Sequence, residues 1–213
     1  MARQIRQFYN GGIWHILNRG VAKTDIFRDK EDYSFHLYKM KDTLKKYPVE
    51  ILSFNLLKNH IHYLIKQTLE DNPPNKFLAS VHTSLGNYIN RKYARVGHLF
   101  QGRCKVKNIK EDSHLLAISV YINLNKVLEK LQQKKKSIIS KNELKKMLEE
   151  AKNDPWSSYS VYLGLREDGI TETKHILSLL SDDVKKARLE YEKFVIKLIT
   201  SGYFLKTRDL IFK

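Results

Sequence analysis

Two histidines separated by one residue, His60 and His62, stand in the stretch His60-Ile61-His62-Tyr63-Leu64-Ile65. The stretch reads as a β-strand. Side chains on a strand alternate, so the two imidazoles point to one face, where they can share a divalent cation. Downstream, the pattern over residues 113–130 predicts a helix. Tyr121 and Asn125 stand four apart on it and so share a face. Two imidazoles and an amide oxygen suit Mg²⁺ or Mn²⁺ at a phosphate, and would also accept Zn²⁺ or Co²⁺. With a phenol beside them, the chemistry indicated is attack on a phosphodiester. The metal stabilises charge on the phosphate and the tyrosine oxygen attacks, leaving protein covalently joined to DNA.

No single residue carries this reading. A His-x-His pair serves more often as surface or core than as ligand, although here Ile61, Tyr63 and Ile65 form the more apolar face of the strand. Tyr121 is one of 12 tyrosines, and Leu115, Ile118, Ile122 and Val127 would readily absorb it into packing. Asn125 could equally satisfy backbone groups at a helix end. The combination is what points to chemistry.

A second constellation lies between. Residues 91–110 hold Arg91, Lys92, Arg95, Arg103, Lys105, Lys107 and Lys110 with no acidic residue. Tyr93 and Phe100 are interleaved. Basic side chains track phosphates, and an aromatic ring can stack on an unpaired base. Arg91, Lys92, Arg95, Phe100, Arg103, Lys105 and Lys107 are therefore the candidate DNA contacts; the rival is a solvated basic loop.

The whole composition agrees. The chain has 213 residues, a formal net charge of +16 and 42% hydrophobic residues. That is enough apolar content for a core, and a charge that calls for a polyanionic partner. No run of about 18 apolar residues exists to span a bilayer. No apolar signal core follows Met1. The single cysteine, Cys104, excludes an intrachain disulfide and fits a reducing cytosol. A cytoplasmic, nucleoid-associated protein with no membrane partner is expected.

The elements that must position these residues can be read in order. Residues 12–18 form a strand. Asp29 caps a helix over 30–47, with Tyr33, Leu37, Met40 and Leu44 as its apolar stripe, and Pro48 stops it. Strands follow over 49–57 and 60–67, joined by Lys58-Asn59. A helix over 76–94 turns Phe77, Val81, Leu85 and Tyr88 inward, and residues 105–109 make a fourth strand. The order βαββαβ is ferredoxin-like: an α+β fold with an antiparallel sheet and its helices on one face. The tyrosine helix comes next. A basic hinge, Gln132 to Lys136, then leads into a mostly helical C-terminal extension, whose long helix is capped by Ser181 and runs to about Thr200. The expected division is 1–130 and 131–213. Trp156 and Tyr159 are expected to dock the extension, and residues from Leu165 onward to be dispensable for folding.

The chain resembles a known family. Gly12-Ile13-Trp14-His15-Ile16-Leu17-Asn18-Arg19-Gly20, Asn59-His60-Ile61-His62, Gly97-His98-Leu99-Phe100-Gln101-Gly102-Arg103 and Tyr121-Ile122-Asn123-Leu124-Asn125 look like the motifs of single-tyrosine HUH transposases. The branch it looks most similar to is the REP-associated tyrosine transposases. Asp154-Pro155-Trp156-Ser157-Ser158-Tyr159 resembles that branch's C-terminal signature. The resemblance implies a divalent metal on His60 and His62, with Asn125 as third ligand. It implies that Tyr121 cleaves single-stranded DNA to leave a 5′-phosphotyrosine and a free 3′-OH, next to a recognised hairpin. Two positions depart from the pattern. Leu57-Lys58 stands where the family has Met-Pro, and Lys126 where it has Pro, so no proline requires the helix to end at Asn125. Two other functions fit the same motifs less fully: a domesticated protein that grips hairpins without cutting, and an RNA-binding ferredoxin-like domain, which would want exposed aromatics on its sheet. A homodimer with exchanged helices stays open.

Overall fold

The computed structural model describes residues 8–133 and 140–206; part of the expected hinge, 134–136, lies outside them. Four strands, β1 (Ile13–Arg19), β2 (Glu50–Leu56), β3 (His60–Lys66) and β4 (Lys105–Ile109), form one sheet in the order β2-β3-β1-β4. β1 pairs antiparallel with both β3 and β4. With helices α1 (Lys30–Lys46) and α2 (Pro74–Lys92) between the strands, this is the expected ferredoxin-like α+β fold. By its contacts the chain forms two compact units, residues 1–51 with 58–110, and residues 52–57 with 111–213.

In the first unit, β1 sets the registers. Leu17 faces His62, Arg19 faces His60 and His15 faces Leu64 on β3, while His15 faces Lys107 and Leu17 faces Lys105 on β4. Opposed residues share a face, so His15, His60, His62, Lys105 and Lys107 lie on one side. Trp14, Ile16, Ile61, Tyr63 and Ile65 lie on the other. α1 starts at Asp29 through a capping box with Asp32. Its buried stripe, however, is Asp32, His36, Met40 and Thr43, and not the apolar stripe Tyr33, Leu37, Met40 and Leu44. Two of the polar side chains on the inward face, His36 and Asp32, are held by partners from other elements. Tyr63 Oη bonds His36 Nε2 at 2.6 Å. Asp32 accepts from Tyr93 Oη at 2.8 Å and from Lys92 Nζ at 2.9 Å. A periodicity argument that counts only apolar residues misses such a stripe. α2 keeps the expected inner face at Phe77, Val81 and Leu85, and Tyr88 stacks on Phe35 with centroids 3.9 Å apart.

The second unit centres on α3 (Asp112–Asn123). The single helix expected over 113–130 is two helices, α3 and α4 (Asn125–Gln133), broken at Leu124. The break needs no proline. The end of α3 is pulled into side-chain hydrogen bonds. Asn55 Nδ2 donates to the carbonyls of Ile122 (2.8 Å) and Asn123 (3.3 Å). Ser157 Oγ donates to the Asn123 carbonyl at 2.8 Å, and Asn123 Nδ2 donates to Tyr191 Oη at 2.9 Å. Backbone carbonyls bound sideways in this way are no longer available to the next helical turn.

The motif Asp154 to Tyr159 runs along residues 54–56. Ser158 N donates to Phe54 O at 3.0 Å and Leu56 N to Trp156 O at 2.9 Å. Since β2 is a sheet edge, the motif covers backbone groups that would otherwise invite another strand. Tyr159 is fully buried and Trp156 half-buried. α5 (Lys141–Lys152), two four-residue helices α6 (Tyr159–Tyr162) and α7 (Lys174–Leu177), α8 (Val184–Thr200) and α9 (Tyr203–Lys206) complete the unit. The cap of α8 is Asp183, which accepts from Lys186 N, and not Ser181. α8 buries Ala187, Tyr191, Val195 and Leu198. Tyr191 is fully buried, stacks on Tyr162 and bonds α3 at Ser119 and Asn123. Residues beyond Leu165 are therefore part of the core, contrary to the expectation that they are dispensable. Among the described residues no helix is long and apolar enough to cross a membrane.

Candidate active site

His60 and His62 belong to the first unit, Tyr121 and Asn125 to the second. Both histidines are buried, at 4% and 2% exposure, with ring centroids 5.0 Å apart. Each is oriented by a neighbour through Nδ1. Asn59 Oδ1 accepts from His60 Nδ1 at 2.7 Å, which fixes that proton and leaves the lone pair on Nε2. His62 Nδ1 pairs with His15 Nε2 at 2.9 Å. A ring nitrogen engaged this way sets the tautomer of the other, which is how protein matrices prepare imidazole for a metal. Burial, reinforced by His15, His60 and Arg19, holds the His62 pKa well below its ordinary value. Burial first, then the Lys107 charge, lowers that of His15 to about 3. Both rings are neutral at pH 7, the form that can ligate.

The turn that presents His60 is itself tightly held. Gly20 N donates to Asn59 O at 2.9 Å. A Cβ on Gly20 would collide with the Thr24 carbonyl, so only glycine permits this approach. The segment after Gly97 joins the same place. Val21 N donates to Leu99 O at 3.0 Å and Gln101 N to Arg19 O at 2.9 Å. Three separate sequence motifs thus converge on one turn of the first unit. Sequence reasoning missed His15. The β1 register was the signal that could have found it, since it puts His15 on the face of His62.

Tyr121 is 8% exposed, with its ring 5.8 Å from that of Phe204 in α9. The break at Leu124 means that Tyr121 and Asn125 do not share the face of one continuous helix. Asn125 instead opens α4, 3% exposed, and its Oδ1 is buried without a hydrogen-bond partner among the described residues. A buried amide oxygen left without a donor is costly and is the condition expected of an oxygen kept for a cation. Among the described residues no group of three His, Cys, Asp or Glu side chains is placed to hold a metal.

The basic segment divides. Arg91, Arg103 and Lys105 are exposed, and Arg95, Lys107 and Phe100 partly so. Lys92 is different. Its Nζ bridges Asp29 (2.7 Å), Asp32 (2.9 Å) and Glu31 (3.1 Å), tying the end of α2 to the start of α1. Its charge is already neutralised there, which corrects its place among the candidate DNA contacts. On the sheet, Trp14 and Tyr63 are 3% and 0% exposed and so offer no stacking platform of the kind an RNA-binding sheet would need.

Comparison with known proteins adds the remaining fact. No curated protein matches the chain. Among solved structures, a REP-associated tyrosine transposase bound to a REP hairpin aligns over 81% of this chain and 92% of its own, with a TM-score of 0.58 at 14% identity. A Deinococcus radiodurans R1 protein assigned to the transposases aligns over 57% of this chain and 95% of its own, with a TM-score of 0.40 at 12% identity. The first likeness is one of fold. A family model for IS200-like transposases matches residues 9–125, a span that takes in both histidines, the basic segment and the tyrosine helix. That is more than half of the molecule, and the chain belongs to the IS200-like transposase family.

Proposed function

We propose that this transposase is a divalent-metal-dependent nuclease and strand transferase of single-stranded DNA, with Tyr121 as nucleophile. The phenol oxygen of Tyr121 attacks phosphorus. An O–P bond forms to the tyrosine as the bond from phosphorus to the 3′ oxygen breaks. The phenol loses its proton and the leaving oxygen gains one, giving a 5′-phosphotyrosine and a free 3′-OH. His60 and His62 would hold the cation through their prepared Nε2 atoms, with Asn125 Oδ1 as the oxygen donor. Bound there, a divalent ion supplies charge neutralisation at the phosphate. Arg103, with Arg91, Arg95, Lys105 and Lys107, would hold the backbone of the strand, and Phe100 would stack on a base. The REP hairpin held by the structural relative supports a hairpin beside a single strand as the substrate.

The observation that carries this reading is the pair of buried histidines on one face of β3, each engaged through Nδ1. The test is incubation with labelled single-stranded DNA carrying a hairpin, plus Mn²⁺, followed by denaturing electrophoresis. A denaturation-resistant protein–DNA adduct is expected with metal and none in chelator. Tight hairpin binding with no adduct under any metal would make the protein a binder without cleavage.

A further inference from the structure

We propose that the groove between α2 and residues 97–104 reads unpaired bases of the bound strand, which rests on the reading of the chain as a single-strand DNA enzyme. The groove lies within the first unit and measures about 970 Å³. One wall is a stripe of α2. Asn75, Ala79, Thr83, Gly86 and Asn90 recur at three- and four-residue spacing, so they share a face, opposite the buried Phe77, Val81 and Leu85. The other wall is held to it by Asn90, whose Nδ2 donates to the Gly97 carbonyl at 2.8 Å.

The chemistry of these walls is unusual for this chain. Of all residues, 29% are charged, yet among the described residues that line the groove there is no carboxylate and one Lys or Arg, Arg103. A face needed only for solubility, or only to attract phosphate, would be charged. This one offers the side-chain amides of Asn75, Asn87 and Gln101 and the hydroxyl of Thr83. Amides present a donor and an acceptor side by side, the pattern that matches a base edge, adenine above all. The floor is apolar: Leu78 and Leu99 are 3% exposed and Cys104 7%. Beside it the rings of Phe100 and His82 lie 4.6 Å apart. An apolar floor with an aromatic ring takes the flat face of a base, while amides take its edge.

Gly86 completes the case. Glycine inside a helix is destabilising relative to alanine, and packing does not require it here. A Cβ at Gly86 would meet only Leu99 Cβ, at 3.9 Å, an ordinary contact. A residue that weakens the helix and fills no packing need is explained by what its absent side chain leaves open.

The test uses the full chain and labelled DNA pentamers of A, C or T at low salt, read by fluorescence anisotropy. For the wild type, adenine should bind tightest, with a spread of about tenfold or more, the discrimination that one good amide–base pair supplies. Asn87→Ala should narrow that spread. Thr83→Ala, on the same rim, replaces it if Asn87→Ala lowers the thermal midpoint. Gly86→Leu should weaken all three pentamers about tenfold or more without lowering the midpoint. Equal wild-type affinities, an unchanged spread in the rim variant, or a Gly86→Leu protein that binds as the wild type does, would overturn the proposal. The adduct assay is independent. Adduct formation with no base preference removes the groove alone. A base preference without any adduct removes the nuclease reading alone.

Discussion

His60 and His62 sit in a strand where both faces are buried, and for His62 that burial holds the pKa well below its ordinary value. Their chemistry depends on which nitrogen carries the proton; Asn59 Oδ1 places it on Nδ1 of His60, and in His62 it is coupled to the tautomer of His15. His60→Ala or His62→Ala removes one of few protein donors. Cleavage in Mg²⁺ should be lost in either variant, with partial recovery in Mn²⁺, which accepts a changed donor set more readily. Asn125→Ala should be milder, because water can replace an oxygen donor. Adduct yields across the three variants in both metals check this order. Tyr121→Phe removes only the phenolic oxygen from a ring packed near Phe204. It should form no adduct, yet keep wild-type hairpin affinity and a thermal midpoint within a few degrees. An adduct that persists would move the nucleophile to another tyrosine.

The break after α3 is the main difference between pattern and element. Periodicity runs smoothly across residues 113–130, and the break comes from groups distant in sequence: Asn55, Ser157, Ser158 and Tyr191. Asn123 is their common point. It accepts from Ser158 Oγ at 2.5 Å and donates to Tyr191 Oη at 2.9 Å. Asn123→Ala would remove one hydrogen bond from each of two buried hydroxyls, which keep Ser119 and Phe54 as partners, at a cost of roughly 0.5–1.5 kcal/mol for each bond lost. Chemical denaturation should show that loss. Adduct formation should slow as well, since Asn123 lies two residues from Tyr121 on the same helix. A truncation ending at Gly164 removes Tyr191 and the whole buried stripe of α8. It should lose cooperative unfolding, measured by circular dichroism, and not merely hairpin selectivity.

At the scale of the whole molecule, charge and burial set the response to conditions. With Lys92 committed to three carboxylates, five basic side chains of the segment remain as candidate phosphate contacts. Each one used releases counterions, worth a slope of about −0.7 on a log-log plot of affinity against salt for single strands. Four in use would give a slope near about −3. Arg103→Ala should flatten it by one contact's share. A slope near zero would make the segment a solvated loop. For acid stability, burial depresses the pKa of His82 to about 4. Burial first, then His82, holds His36 well below its ordinary value. Unfolded, both titrate near 6.5 and bind protons that the folded state refuses. Stability is therefore fully present above about pH 6.5 and is lost as pH falls toward 4. Thermal midpoints measured between pH 7.5 and 4 should fall on acidification, and His82→Gln should lessen the fall.

The amino-acid sequence alone determined the order of the elements, the strand that carries His60 and His62, the cap at Asp29 and the basic character of residues 91–110. These depend on near neighbours and on periods of two or about 3.6 residues, which a linear chain displays. Tertiary structure alone decided the partner of His62, the polar stripe of α1, the neutralisation of Lys92, the break at Leu124 and the place of Tyr191 in the core. Each of these depends on a hydrogen bond or ion pair between residues 27 to 72 positions apart. The energy of such a contact depends on burial that no local pattern encodes. A polar side chain on an inward face reads as a defect until its partner is in place.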